Sequence, residues 1–466
     1  MANMAAMDER TVAVVGAGLA GLYAARLLKD VVPGSVVVVE ASGDLGGRVK
    51  EVDGLVPWSL QLGPEFIHGK ENSVLMDLVD SWGWETKELE WPDKYYFADS
   101  KTTCTSENET EDIEKVHEFF DNILDVDEAE GASVEEIMRR RGANDAQIEI
   151  AEVCYANDFG TSLRDLGLAE LKQEKSEWSY GEKYLVLDKP LSCVIDRLAS
   201  GLEIWTDWQA KRIEYAGAVD GKPTLATPKG EKRCAIVNQR GEVLACDAVV
   251  LTVPLTILQD GDIEFSPPLR PEKRGAISRI AMSTATKVVL VFESQFWPES
   301  FWDACCPFGF LPEIWATKYP IRSESPSAQA SARRVAIIGF VAGDRARAMS
   351  QLSKDEVVAS SLAQLDEMFA SRIDPSPATS SFSSCYIKDW SQEPFIRGAY
   401  TFPCKARGGD RRLLAEPAGA LFFAGEATHS GVNPCMQGAL ETGQRAMQEI
   451  LESFEVAGTS KNQSKL

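Results

Sequence analysis

Apolar residues follow two different periods near the start of the chain. Residues 11–15 and 35–39 form short, largely apolar runs, which are typical of parallel strands covered on both faces of a sheet. Between these runs, Leu22, Ala25 and Leu28 recur at the spacing of one helix face. The pattern predicts a strand, a helix and a second strand, which together form a βαβ unit with a parallel sheet.

The turn between the first strand and the helix carries the spacing Gly16-x-Gly18-x-x-Gly21. Gly16 permits a tight turn, Gly18 lets the backbone approach a pyrophosphate, and Gly21 lets the helix pack closely on the sheet. Glu40 ends the second strand, where its carboxylate can accept hydrogen bonds from both hydroxyls of a ribose. The unit therefore predicts a dinucleotide site with phosphates at the helix N-terminus, and Glu40 argues against a cofactor with a 2′-phosphate.

Two later apolar runs, at residues 245–258 and 420–424, also predict buried strands. The second run leads into a loop and a helix, so the end of the chain repeats the strand–loop–helix order of its start. Residues 109–160 have helical spacing and predict a helical insertion, whereas the Ser-, Ala- and Pro-rich residues 323–332 and 374–384 predict loops. We expect an α/β fold in which distant parts of the chain share one doubly wound sheet.

The charge balance is strongly acidic. The 466 residues include 48 Lys and Arg against 71 Asp and Glu, which gives a net charge of −23. Nucleic acid is therefore a poor partner, because proteins that bind a phosphate backbone present basic surface. No apolar run approaches the roughly 18–20 residues of a membrane helix, and residues 1–10 lack the pattern of a secretory signal. We expect no membrane span and a chain that begins inside the cell.

The cysteines and histidines argue against a metal site. The ten cysteines show no C-x-x-C spacing, and there are only three histidines. We expect mostly buried thiols in a reducing compartment, and neither a zinc site nor a disulfide framework. The last three residues, Ser464, Lys465 and Leu466, match the peroxisomal address that an import receptor reads. They predict a peroxisomal location.

A second motif follows Glu40 directly. Residues 41–48 read ASGDLGGR, in which Arg48 could reach the phosphates with a charge-assisted fork. Together with the glycine turn, this motif points to FAD rather than NAD, and here the chain resembles the flavin-containing amine oxidase family. That family includes monoamine, polyamine and L-amino-acid oxidases and lysine demethylases. The resemblance recurs in ordered motifs along the chain, at residues 63–69, 246–258, 263–269, 285–298, 398–403 and 422–446.

The resemblance implies a two-domain α/β architecture, with a Rossmann-like FAD-binding domain and an α+β substrate-binding domain. The FAD-binding domain is expected at residues 1–75, 195–270 and 400–455. The substrate-binding domain, with its helical insertion, is expected at residues 76–194 and 271–399. Residues 456–466 are expected to form a flexible tail.

The resemblance also implies which residues contact the cofactor. Glu40 would bind the adenosine ribose, Arg48 the phosphates and nearby flavin, and Glu426 the chain between pyrophosphate and ribityl group. The helix that begins near Met436 would direct its positive end at the flavin, which favours the anionic reduced form. The family's cofactor-binding positions correspond to Gly16, Gly18, Gly21, Glu40, Arg48, Gly63, Glu426, Met436 and Gln437.

A third group of positions concerns the amine. Lys287 resembles the family lysine that holds a water against flavin N5, and Tyr400 resembles one wall of the aromatic sandwich that guides the amine. The opposite wall would fall near Cys435, which is not aromatic. Ala399 occupies the position at which monoamine oxidases carry the cysteine that bonds to the flavin. We therefore expect FAD to be bound non-covalently.

Substrate class is indicated by Glu65 and His68, which resemble the polyamine-oxidase pattern, with a carboxylate that would hold a distal ammonium. The arginine that clamps the carboxylate in L-amino-acid oxidases is absent. The sequence thus predicts a peroxisomal, FAD-dependent polyamine oxidase that uses O2 on a small cationic amine. A monoamine or L-amino-acid oxidase and a chromatin demethylase or scaffold stay open as alternatives. So does the role of the acidic and aromatic residues Glu174, Glu177, Trp178, Tyr180 and Tyr184, which could line the tunnel or pack elsewhere.

Overall fold

A computed structural model describes most of the chain. It covers residues 10–32, 34–89, 94–105, 108–126, 131–216, 218–219, 222–223, 233–317, 333–432 and 434–463. The sequence-predicted loop at 323–332 and the tripeptide at 464–466 lie outside these residues. Within this part of the chain, no helix combines the length and apolar character needed to cross a bilayer.

A five-stranded sheet, hereafter the parallel sheet, contains the predicted βαβ unit. Val12, Val14, Val36 and Val38 are buried in its core, beneath helix Leu19–Val31. Every neighbouring pair of strands runs parallel. In spatial order the strands are Glu203–Trp205, Gly34–Val39, Arg10–Val15, Ala248–Leu251 and Leu421–Phe423.

The apolar run at 245–258 is not one strand, as the sequence predicted, but contributes to two sheets. Asp247 marks the change of sheet, because its backbone N–H donates to the carbonyl of Thr11 and its side chain accepts from the N–H of Thr11 at 2.8 Å. Before it, Val243–Cys246 joins an antiparallel neighbour in a four-stranded sheet; after it, Ala248–Leu251 enters the parallel sheet. The four-stranded sheet has the order Val243–Cys246, Cys234–Asn238, Ala210–Tyr215 and Glu264–Ser266.

A seven-stranded sheet forms the second large layer. All eight residues of its strand Ala285–Phe292 are buried, which agrees with the apolar sequence on either side of Lys287. The strands lie in the order Phe382–Asp389, Ala285–Phe292, Val335–Ala342, Glu313–Thr317, Asp303–Cys305, Lys94–Phe97 and Thr102–Thr105. Smaller sheets are formed by Ile67–His68, Tyr184–Leu187 and Thr86–Leu89, by Glu51–Val52 and Leu60–Gln61, and by Ala218–Val219 and Lys222–Pro223.

Helices cover both large sheets, and the predicted insertion at 109–160 is helical. One turn of it, Glu152–Ala156, is a π-helix, a form that occurs often at functional sites. The remaining α-helices are Leu19–Val31, Val74–Ser81, Glu111–Asp121, Val134–Arg140, Asp145–Ala151, Leu168–Glu177, Ser192–Ala199, Leu255–Gln259, Pro271–Arg279, Gly343–Met349, Lys354–Phe369, Pro377–Ser381, Asp410–Ala415 and Met436–Gln463. Short 3₁₀ turns are Ile123–Asp125, Trp390–Gln392 and Glu426–Thr428.

One expectation about an irregular segment is wrong. The predicted loop at 374–384 contains helix Pro377–Ser381, because Pro377 occupies a first-turn position that its missing N–H suits, and it also contains the start of strand Phe382–Asp389. Helix Met436–Gln463 extends into the expected tail, because no proline interrupts it.

Candidate active site

A cavity of about 520 Å³ is lined by residues of both large sheets. Gly21 and Gln437 lie behind its wall, where the Gln437 Nε2 donates to the backbone oxygen of His68 at 2.7 Å. The other predicted site residues all line the cavity: Gly16, Gly18, Glu40, Arg48, Gly63, Glu65, His68, Lys287, Tyr400, Glu426, Cys435 and Met436. Residues from distant parts of the chain thus meet at one cavity.

The glycine turn leaves free space beside Gly18 but is tightly packed at Gly21. Gly16 has φ of +108°, a conformation that favours glycine. A Cβ added to Gly18 would meet only the carbonyl oxygen of Gly46, at 3.9 Å, so the turn has room for a phosphate beside the helix N-terminus. A Cβ added to Gly21 would lie 2.0 Å from the carbonyl oxygen of Gly16, so there the helix touches the turn.

Glu40 holds the same turn in place. Its two carboxylate oxygens accept hydrogen bonds from the backbone N–H groups of Ala17, at 2.8 Å, and Ser42, at 2.9 Å. A carboxylate has about four acceptor sites, so capacity is left for ribose hydroxyls. The side chain also lines the cavity, which places this capacity where a dinucleotide would lie.

Arg48 and Glu426 form the next part of the wall. The Arg48 Nη1 donates to Glu426 Oε1 and to the backbone oxygen of Ala399, both at 2.8 Å. The other oxygen of Glu426 accepts from the Thr401 hydroxyl at 2.6 Å. Only one guanidinium nitrogen is used in these bonds, so Arg48 can still donate into the cavity. An open glycine turn, a ribose-binding acid and a cavity-facing guanidinium fit a dinucleotide with a pyrophosphate.

Lys287 and Glu65 form a buried ion pair. The Lys287 Nζ lies 3.2 Å from Glu65 Oε2 and 3.1 Å from the backbone oxygen of Gln61, and it faces the Trp315 ring at 5.1 Å. Burial lowers the pKa of Lys287, while Glu65 opposes that shift. Trp315 Nε1 also donates to Glu65 at 3.1 Å. The structure therefore gives Glu65 a different partner from the substrate ammonium that the sequence suggested, since Lys287 already compensates its charge.

The wall on the substrate side is aromatic. The rings of His68 and Tyr184 meet edge to face with centroids 4.9 Å apart, and the Tyr400 hydroxyl donates to the backbone oxygen of Asp158 at 2.7 Å. Burial lowers the pKa of His68, which favours the neutral imidazole. Cys435 lines the same cavity but supplies no ring, as expected from the sequence.

Comparison with known proteins identifies the family. The model for the family described as flavin containing amine oxidoreductase matches residues 19–451, which is nearly the whole chain. The chain belongs to this family. The expectations of fold class, of family and of FAD as the cofactor are confirmed.

Relatives of this chain differ in what their names say they act on. Mouse lysine-specific histone demethylase 1B is 26% identical over 95% of this chain and 53% of its own length. Human peroxisomal N(1)-acetyl-spermine/spermidine oxidase is 32% identical over 45% of this chain and 44% of its own. The chain spans about half the length of the first demethylase relatives that it matches. Cyclohexylamine oxidase from Brevibacterium oxydans has the same fold, with a TM-score of 0.77, 20% identity, and coverage of 96% of this chain and 100% of that one.

The sequence did not predict two carboxylates that line the cavity. Asp158 lines the cavity, and burial is the main cause that raises its pKa. Glu313 also lines it, accepting from the Asn157 side chain at 2.8 Å, and burial followed by Asp158 raises its pKa. The signal for Glu313 was an acid at the start of the buried strand Glu313–Thr317, directly before the apolar residues 314–316. The signal for Asp158 was weak, because it is one of many acids in a helical region.

The acidic and aromatic group left open by the sequence divides in two. Glu174, Trp178 and Tyr184 line the cavity, and burial raises the pKa of Glu174 to about 7, with Asp158 and Glu182 adding to the shift. Tyr180 packs elsewhere, since its hydroxyl donates to Glu441 at 2.9 Å, and Glu177 accepts from Gln173 at 3.1 Å. Glu174 therefore joins Asp158 and Glu313 as an acid of the cavity.

Proposed function

We propose that this protein oxidises a secondary amine of spermine, spermidine or an acetylated polyamine. The observation that carries the proposal is a group of three of the acids that line the cavity, Asp158, Glu174 and Glu313. Among the described residues, Asp158 has neither a side-chain hydrogen bond nor an ion pair, so its carboxylate is available to a ligand ammonium. A flexible chain with several amines can place one charge against an acid and a second, neutral amine at the reacting position.

The reaction consumes one O2 and one water for each amine. The C–N bond beside the oxidised carbon is broken, and the products are an aldehyde, a shorter amine and hydrogen peroxide. Bound FAD supplies hydride acceptance from that carbon and the later reduction of O2. The chain's own residues bind and orient the substrate, and the aromatic rings of Tyr184 and Tyr400 exclude water, which favours the neutral amine.

Lys287 is proposed to hold the water that serves the later steps. Its Nζ is buried and donates to Glu65 and to the backbone oxygen of Gln61, which leaves one donor position for a water. No strong base is needed if the reacting amine arrives neutral. We also propose that the cofactor is non-covalent, because Ala399, which lines the cavity, has no nucleophilic side chain.

The described part of the cavity has no arginine available to bind the carboxylate of an amino-acid substrate. Arg48 is the only arginine among the described residues that line the cavity, and its remaining donors are assigned to the phosphates of FAD. A substrate carboxylate would meet Asp158 and Glu313 without a free arginine to bind it. Burial already disfavours the charged form of both acids, and a further anion beside them would add to that free-energy cost.

A second candidate is removal of a methyl group from a peptidyl lysine. The demethylase relatives favour it, because mouse lysine-specific histone demethylase 1B aligns with 95% of this chain. The chemistry at the carbon beside nitrogen is the same, but the substrate would be part of a peptide. The two candidates are separable by substrate alone.

The deciding experiment mixes the purified yellow protein with each amine in the absence of O2 and follows bleaching of the flavin absorbance. We expect rapid bleaching by spermine, spermidine or an acetylated polyamine, and little by benzylamine, amino acids or a methyl-lysine peptide. Asp158→Asn should raise the polyamine concentration needed by about 10-fold or more, because a charge-assisted contact is lost. Asp30→Asn, an exposed position outside the cavity, is the control. Bleaching by the methyl-lysine peptide alone would establish the second candidate.

We also propose a peroxisomal location, supported by residues 464–466 and by the peroxisomal relative. A fluorescent protein fused ahead of a chain that ends at Leu466 should collect in peroxisomes. The same fusion without residues 464–466 should stay diffuse while retaining its flavin. A nuclear signal from both fusions would contradict the proposal.

A further inference from the structure

Two stacked aromatic rings line a second part of the cavity, away from the elements that carry Lys287 and Glu313. Phe120, near the end of helix Glu111–Asp121, packs against Tyr155 of the π-helical turn, with centroids 3.6 Å apart and ring planes 4° from parallel. Both rings line the cavity, and so does the neighbouring Asp121. This part of the wall thus combines a π surface with a carboxylate.

His117 holds the tyrosine of this pair. Its Nδ1 lies 2.7 Å from the Tyr155 hydroxyl, and its Nε2 lies 2.9 Å from the Tyr95 hydroxyl. Burial raises the pKa of both tyrosines, so both phenols stay protonated near neutral pH. A neutral imidazole has one donor and one acceptor nitrogen, so it can bond both phenols at once. The Tyr155 ring is therefore fixed from behind rather than free to rotate away from the cavity.

The carboxylate beside the rings belongs to a different electrostatic group from Asp158. The pKa of Tyr155 is raised first by burial and then by neighbouring groups that include Asp121. The pKa values of Tyr184 and Tyr400 are also raised first by burial, but the acids that add to the shift are Asp158 and Glu313. Among the described residues, no Lys or Arg forms an ion pair with Asp121. Asp121, at the end of helix Glu111–Asp121, and Asp158, just after the π-helical turn, thus give the cavity two anionic regions from different points of the chain.

We propose that Phe120, Tyr155 and Asp121 form a second cation subsite, which binds an ammonium group of a long amine ligand remote from its reacting nitrogen. The rings offer their negative π surface and Asp121 offers its charge, and a cation benefits from both. His117 is a positioning residue of this subsite, since it reaches the ligand only through Tyr155. The inference rests on the proposed function for its substrate class, but the subsite itself can be tested by binding alone.

Ligand length is the property that the subsite would read. An amine with one positive end can satisfy only one anionic region, whereas a diamine of sufficient length can satisfy both. An α,ω-diamine and the n-alkylamine of equal length differ only in the distal ammonium group. Each cation–π or exposed ionic contact strengthens binding by about 2- to 5-fold, so a diamine that reaches both regions should bind about 10-fold tighter than its monoamine.

The test uses the FAD-loaded protein and a series of α,ω-diamines of increasing length, each paired with the n-alkylamine of equal length. Dissociation constants come from titration of the bound flavin spectrum in the absence of O2. We expect the ratio between monoamine and diamine to rise sharply once the chain spans both regions. Equal affinities at every length would overturn the subsite, whether or not any polyamine is oxidised.

Variants assign the effect to the named residues. Asp121→Asn should remove about 2- to 5-fold of the diamine preference, and Asp125→Asn, an exposed change of equal charge that does not line the cavity, should remove none. Tyr155→Leu should remove the share of the diamine preference that the aromatic ring contributes. Tyr155→Phe keeps the ring but loses the hydrogen bond to His117, so its diamine preference should lie between those of the wild type and Tyr155→Leu. Monoamine affinity should stay constant in all four. A uniform loss for both ligands would show a merely structural role and overturn the assignment.

Failure of this proposal is distinguishable from failure of the proposed function. If spermine bleaches the flavin but the length series is flat, polyamine oxidation stands and the subsite does not. If diamines bind with the predicted step but only a methyl-lysine peptide is oxidised, the subsite stands and the polyamine substrate does not.

Discussion

We expect the buried ion pair between Lys287 and Glu65 to affect both the stability of the protein and the rate of its flavin chemistry, and these two effects can be measured separately. Both side chains are about nine-tenths buried, at 7% and 10% exposure, so removing one partner leaves the other charge uncompensated. Lys287→Met should destabilise the protein by about 3 kcal/mol and slow flavin reduction or reoxidation by about 100-fold or more. Urea unfolding and stopped-flow absorbance measure the two effects.

The double variant Lys287→Met, Glu65→Gln separates stability from catalysis. Because it removes both charges, it should recover much of the lost free energy of unfolding. If Lys287 acts on the water, turnover should stay low in the double variant. Recovery of turnover along with stability would reduce Lys287 to a structural role.

We expect substrate binding to depend on pH through the carboxyl group of Glu174. Its carboxyl pKa is raised to about 7, mainly by burial, so the group gains its negative charge as the pH rises through about 7. The apparent dissociation constant for spermine should therefore fall across this interval. Because the amines also titrate, the comparison is with Glu174→Gln, which should lose the step near 7 but keep the dependence of the amine itself.

Lys273 predicts a pH dependence of stability. Its Nζ donates to the backbone oxygens of Leu413 and Leu414, both at 2.7 Å, and lies 4.0 Å from the Phe423 ring. Burial lowers its pKa from 10.5 to about 7. The unfolded chain binds more protons between these values, so the free energy of unfolding should rise as the pH rises from about 7 towards 10.5. Lys273→Met should lack this rise in urea unfolding, and an equal rise in the variant would contradict the assignment.

At the scale of elements, the βαβ unit makes a prediction that separates folding from cofactor binding. Gly21→Ala forces a Cβ against the Gly16 carbonyl and should cost about 1–3 kcal/mol of stability as well as FAD. Gly18→Ala meets almost no protein atoms, so it should fold normally but retain less FAD, because the methyl group occupies the space beside the phosphate. Thermal unfolding and the ratio of flavin to protein absorbance measure the two outcomes.

Gly408→Ala is the matched control, since an added Cβ there meets nothing within 4 Å and its φ is not positive. It should change stability by less than about 0.5 kcal/mol and leave FAD content unchanged. Equal loss of FAD in Gly18→Ala and Gly408→Ala would contradict the assignment of the open turn to the phosphate.

The same elements explain what the sequence could predict. The first strand, the glycine turn and the first helix are local, and their period and glycine spacing predicted them to within a residue or two. The run at 245–258 was not predicted correctly, because the chain changes sheets at Asp247. This change is marked by a hydrogen bond with Thr11, 236 positions away, which leaves no local pattern. Glu65 lines the cavity, but its ion pair with Lys287 joins residues 222 positions apart and left no local pattern.

At the scale of the whole molecule, the last helix should be indispensable. Leu440 and Ile450 of Met436–Gln463 share a buried core with Leu22 of the first helix. Burial of one such side chain contributes about 1.5–3 kcal/mol, and a whole domain is stable by only about 5–15 kcal/mol. Deletion of residues 436–466 should therefore abolish cooperative unfolding and FAD retention, as measured by circular dichroism and absorbance. Deletion of residues 464–466 is the control and should change neither.

The ion pair between Arg48 and Glu426 has a consequence for the time course of synthesis. The two residues are 378 positions apart, and at about 5–20 residues per second a ribosome adds the second roughly 20–75 s after the first. During that interval the guanidinium beside the glycine turn has no Glu426 to orient it, and the parallel sheet lacks its strand Leu421–Phe423. FAD capture should therefore follow release of the chain, so nascent chains stalled before Glu426 should not become yellow.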